Sequence, residues 1–194
     1  MLIRIFLLIF IISCTKPKIS IIPLNSQKTY SQVKADSQSC KGTGIINSYG
    51  ELEGKLKFTF KSKKDSTFMV FNDLIGRKTL MVWVTNQKIT ARDLVKNEHY
   101  DYNKIKTLFP IVEYINPIDL TKLIWGVQPE YKNKRLKNVD IDFDREKDSD
   151  GFYNVTNAMY YNKDTNHGFK INITSRNKNN SNIDMKKVWK LLKY

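Results

Sequence analysis

Cys14 follows Ile11, Ile12 and Ser13 directly. A thiol placed after a short apolar run and a small residue is set for acylation and for cleavage on its N-terminal side, the chemistry of a bacterial lipoprotein signal. One basic residue, Arg4, precedes the run from Ile5 to Ile12, which is too short to span a bilayer as a helix. Residues 1–13 are therefore read as a processed signal peptide and Cys14 as the lipidated first residue of the mature chain. Each buried methylene adds about 0.8 kcal/mol of membrane affinity, so several acyl chains on one cysteine anchor a protein without a transmembrane helix. The alternatives are an uncleaved N-terminal anchor and an ordinary signal peptide with a chance cysteine. With Cys14 acylated, Cys40 is the one remaining thiol and a disulfide framework is excluded for the monomer. With Cys14 free, a Cys14–Cys40 disulfide becomes available.

Other residue types offer little chemistry. His99 and His167 are isolated, without the Cys or His neighbours that a metal site requires. No nucleophile elbow and no phosphate-binding glycine loop occur, and Gly42-Thr43-Gly44 is only a fragment of one. Asp140, Asp142 and Asp144 alternate with Ile141 and Phe143, and Asp148 and Asp150 follow. A calcium loop starting at Asp140 would need glycine and glutamate where the chain has Arg145 and Gly151, so a solvated strand face and an Asp-Gly turn fit better. No catalytic residue, metal or cofactor is expected, and the chain reads as a non-enzyme.

The elements that carry these residues follow from composition and period. The 194 residues leave room, after the signal, for one domain with a sizeable core. The net charge of +14 is read as mostly compositional, with some use against anionic headgroups, because a secreted lipoprotein does not meet nucleic acid. Residues 14–40, with Pro17, Pro23 and no sustained period, read as a lipidated tether, although Ile19 to Leu24 could form a first strand or a helix edge. The body, residues 41–194, opens with β signals. Gly42 to Asn47 is one strand, and Leu52, Gly54, Leu56, Phe58 and Phe60 alternate with polar residues along the next. Phe68 to Phe71 and Leu80 to Val84 are apolar on both faces, so each face needs cover.

Between them lies Asn72-Asp73-Leu74-Ile75-Gly76-Arg77. Asn, Asp and Gly suit a hairpin turn, but two large aliphatics at a tip must be buried against something, either the domain itself or an external surface. Arg77 and Lys78 beside them suit phosphate headgroups. Successive hairpins emerge at opposite ends of a sheet, so the Lys61, Lys63, Lys64 turn belongs at the far end. A strand from Gln87 to Leu94 and a turn from Asn97 to Tyr100 follow. Two short helices come next, the first with Ile105, Leu108 and Phe109 until Pro110 interrupts it, the second from Asn116-Pro117 through Leu120, Leu123 and Ile124 to Gly126. Weaker strands span Val139 to Phe143, Asn157 to Tyr161 and Gly168 to Ser175. Met185, Val188, Trp189 and Leu192 recur at helical spacing with lysines opposite, either as a last helix on the domain or as one lying on a membrane.

This order of features resembles the LolB family of outer-membrane lipoprotein receptors. The resemblance is carried by Gly44 in the first strand, Asp73 to Gly76 at the tip, Tyr100, and Leu120, Leu123, Ile124, Trp125, Gly126 and Pro129 around the second helix. It implies an α+β fold, mainly β with short helices: a curved, incomplete antiparallel barrel with helices covering an apolar cavity. Leu56, Phe58, Phe60, Met69, Phe71, Met81, Trp83, Leu108, Leu120, Leu123, Ile124 and Trp125 are the cavity or lid candidates. It further implies a monomer at the periplasmic face of the outer membrane, lipoprotein acyl chains as ligand, a LolA-like periplasmic carrier as partner, and a membrane-inserting tip at Leu74 and Ile75. An envelope lipoprotein of the same fold that binds another amphiphile, and a structural surface lipoprotein, remain alternatives.

Overall fold

The computed structural model describes residues 26–50, 53–108, 112, 115–131 and 138–185. The signal peptide, Cys14, the Ile19–Leu24 run and Val188, Trp189 and Leu192 lie outside the described residues.

Nine strands form one antiparallel sheet in the order β6-β5-β4-β3-β2-β1-β9-β8-β7. They are β1 (Ser39–Tyr49), β2 (Gly54–Lys63), β3 (Ser66–Asn72), β4 (Lys78–Val84), β5 (Ile89–Asp93), β6 (Glu98–Tyr100), β7 (Val139–Lys147), β8 (Tyr153–Asn162) and β9 (His167–Asn179). Helices α1 (Tyr30–Asp36), α2 (Tyr102–Leu108) and α3 (Pro117–Trp125) accompany it. Among the described residues the sheet is an open, curved half-barrel, as the resemblance implies, with β6 and β7 ending it and not pairing with each other. Its non-local seam is β1 against β9, which joins the first hairpins to the last.

Strand parity sorts the side chains. On the concave face Phe58 sits opposite Phe71 and Phe60 opposite Met69, and Leu80 and Val82 continue the row. Helix α3 packs into this concavity, with Leu123, Ile124 and Trp125 at most 2% exposed. The Phe58 and Phe71 rings lie 5.4 Å apart. Burial of side chains this size stabilises by about 1.5–3 kcal/mol each. Gly42 and Gly44 make room for the aromatic rings, since a Cβ on Gly44 would sit 2.3 Å from the Phe58 ring.

Several boundaries differ from the sequence pattern. Within the span read as tether, residues 30–36 form α1 and β1 begins at Ser39. The Thr29 side chain accepts from the Gln32 amide while the Gln32 side chain accepts from the Thr29 amide, and Val33 is buried. This capping box starts a helix too short to show a period. The Asn97–Tyr100 turn ends in strand β6, whose Tyr100 pairs with Ala91. The last three strands each run past their predicted limits.

Candidate functional site

The β3–β4 hairpin tip is built around Asp73. Its Oδ1 accepts from the amides of Ile75, at 3.0 Å, and Arg77, at 2.9 Å. Its Oδ2 accepts from Arg77 Nε at 2.7 Å. The hydrogen bond from the guanidinium holds the Asp73 carboxyl below the usual carboxylate range. Gly76 takes φ +86°, a left-handed conformation that closes the turn without Cβ strain. With Asp73 turned inward to the backbone, Leu74 and Ile75 project outward, 87% and 73% exposed. Of the two covers open to the tip, its own domain is thereby excluded. Arg77 and Lys78 are exposed beside it.

The cavity candidates fall into two groups. Phe58, Phe60, Met69, Phe71, Leu123, Ile124 and Trp125 form one buried cluster on the concave face, with Leu56, Leu108 and Leu120 partly buried against it. Met81 and Trp83 do not belong to it, which corrects their place among the candidates. Strand parity turns them to the convex face, where Trp83 pairs with Phe68, ring centroids 6.0 Å apart, and Val70, Met81 and Met185 pack around. Both faces of β3 and β4 are apolar because one meets the core and the other this satellite patch.

Helix α3 is pinned at both sides of the concavity. Trp125 Nε1 donates to Ser62 Oγ at 2.8 Å on the floor. At its C-terminus, Arg176 Nε donates to Ile124 O at 2.8 Å and Nη2 to Leu123 O at 3.1 Å and Val155 O at 2.7 Å. A guanidinium on the last carbonyls of a helix complements the negative end of its dipole. Burial lowers the pKa of Arg176 and of neighbouring Lys178. Cys40 lies fully buried near this point, its Sγ 3.7 Å from Ile124 O, and burial pushes its thiol up to about 11. A cleft of about 630 Å³ opens between α1, the end of α3 and the β7–β8 turn. Its charges are largely engaged within the protein: Lys28 with Asp36, Lys178 with Asn154, Asp148 with the amides of Asp150 and Phe152.

Sequence reasoning missed Arg176 and Val95. An arginine in a basic strand carries no mark of its partners, which come from a helix 52 residues earlier. Val95 had a signal, since Asp93-Leu94-Val95 repeats the spacing of Asp73-Leu74-Ile75. The acidic ladder Asp140, Asp142 and Asp144 occupies the solvated face of β7.

An open antiparallel half-barrel with short helices over its concave face is thus the class of fold. No family profile matches the sequence, and no curated protein does. Among solved structures, the chain is similar to a domain from Vibrio parahaemolyticus described as that of an outer membrane lipoprotein-sorting protein. The two share 9% identity at a TM-score of 0.52, over 84% of this chain and 96% of that one. The likeness is one of fold.

Proposed function

We propose that this chain is an envelope lipoprotein, anchored through Cys14 at the periplasmic face of the outer membrane, that accepts the acyl chains of other lipoproteins from a LolA-like periplasmic carrier. The acyl chains enter the concavity beneath α2 and α3, and the β3–β4 hairpin passes them into the bilayer. The observation that carries this is the exposure of Leu74 and Ile75 on a turn held rigid by Asp73. An isolated hairpin has no use for two such residues in water, whereas a bilayer or an acyl chain covers them. The fold shared with the Vibrio sorting-protein domain supports the same role. No bond is made or broken, so transfer needs only a sequence of better-covering sites.

The concave face also favours a second reading, a structural surface lipoprotein, because Phe58, Leu123, Ile124 and Trp125 already fill it. Under the receptor reading, α3 must move aside before cargo enters. The full chain, anchored in vesicles, is offered a triacylated lipoprotein on its loaded carrier, wild type against Ile75→Glu. Cargo that reaches the vesicles with wild type and stalls in the variant supports the receptor. No uptake by wild type overturns it.

A further inference from the structure

We infer that the β5–β6 turn, with Val95 at its apex, is a second membrane prong that enters the same anionic bilayer as the β3–β4 tip. This rests on the membrane-facing role proposed above for Leu74 and Ile75, and extends it to a hairpin with no part in that reading.

Three observations carry it. Val95 is 76% exposed, alongside Leu74 and Ile75 among the most exposed large aliphatics of the described residues. The turn is built like the first: Asp93 Oδ1 accepts from the amides of Val95, at 2.8 Å, and Lys96, at 2.9 Å, as Asp73 Oδ1 does from Ile75 and Arg77. In both, an aspartate turns inward to the backbone and an aliphatic two residues on is presented outward. Asp93 Oδ2 is occupied as well, accepting from Tyr100 O–H at 2.9 Å.

Topology then places the two turns at one end of the sheet. Strands β3 to β6 are consecutive antiparallel neighbours, so the 3–4 and 5–6 turns emerge together and the 4–5 turn at the other end. The amide of Leu94 donates to Thr79 O at 2.8 Å, tying the base of one hairpin to the other. Two apolar apices at one end of the sheet give two points of support, where one would leave the domain free to swing in every direction. Lys78 and Lys96 are the exposed lysines at these turns, Arg77 is exposed but paired with Asp73, and Glu98 is an exposed anion at the foot of the second. Cations flanking exposed aliphatics suit a lipid surface with anionic headgroups better than the dry groove of a partner protein.

The test uses the full chain anchored in vesicles of phosphatidylethanolamine and phosphatidylglycerol. An environment-sensitive dye is placed in turn on Val95→Cys, Ile75→Cys and Thr165→Cys, the last in the β8–β9 turn at the same end of the sheet. The parent chain, in which Cys40 is buried, is the blank. Blue-shifted emission quenched by spin-labelled lipid at positions 75 and 95, but not at 165, is the expected result, with quenching weakened by Lys96→Glu or by omitting phosphatidylglycerol. Quenching at 75 without quenching at 95 overturns the second prong and leaves the first standing. Quenching at neither overturns both. A blue shift at 95 that lipid does not quench, appearing only with a protein present, assigns the turn to a protein groove and also overturns the inference.

Discussion

Asp73 and Asp93 determine what the two exposed turns can present. Each spends its carboxylate on backbone amides, so hydrophobic neighbours face out by default. At Asp93 burial alone would raise the pKa, but the hydrogen bonds from Lys96, Tyr100 and Val95 more than offset it and the carboxyl ends below its ordinary value. Both folded carboxyls are thus depressed. Their contribution to turn order is complete above the unfolded value of about 3.9 and is lost as pH falls through the lowered folded values. The amide proton shifts of Ile75 and Val95 should stay constant from neutral pH to about 4 and titrate only below it; midpoints at or above that value would contradict the geometry. Cys40 makes a second residue-scale prediction. With its thiol fully buried and shifted to about 11, it should resist alkylation at pH 8 in the native state and react once denaturant unfolds the chain.

Among the elements, α3 decides whether the concavity is closed. Its C-cap Gly126 has φ +86°, and a Cβ there would lie 2.5 Å from Asn154 Oδ1 and 3.1 Å from Arg176 Nη1. Gly126→Ala should therefore disturb the Arg176 clamp as well as strain the backbone, lowering stability by about 1–3 kcal/mol in urea denaturation. The helix itself was legible in sequence, since Asn116-Pro117 and Gly126 mark its ends and Leu120, Leu123 and Ile124 its face. The clamp was not, because Arg176 meets α3 only after β9 has paired with β1 across more than 130 residues. A similar limit applies to β3 and β4. Where both faces are apolar, period alone cannot say which meets the core, so Met81 and Trp83 read as equivalent to Met69 and Phe71 until register separates them. Capping chemistry at Thr29 and Gln32 was present in sequence but lay in a segment whose composition spoke for a tether.

At the level of the whole molecule, the chain enters the domain at the end opposite the turns. Tyr30 O–H donates to Lys64 O and Lys34 pairs with Asp65, both at the β2–β3 turn, which lies at the far end of the sheet from Leu74, Ile75 and Val95. Ten-residue β2 alone spans about 33 Å. Eleven residues from Thr15 to Asn25, fully extended, reach about 36–40 Å. If Cys14 and the turns share one bilayer, nearly all of that reach is used. Deleting Thr15 to Leu24 should therefore abolish lipid quenching of a dye at Ile75→Cys in vesicles carrying the anchored chain, and a spacer of equal length and unrelated composition should restore it.

Among the described residues β6 and β7 share no seam, which gives the sheet a mechanical property that a closed barrel lacks. In a closed barrel the girth is fixed by strand number and stagger, and widening it means breaking a ladder of hydrogen bonds. A strip with two free edges can change its curvature by distributing a few degrees of twist over eight strand pairings, with every ladder intact. The curvature of the sheet can thus change as a spring's does, elastically and by degrees, where a closed barrel would hold a fixed bore.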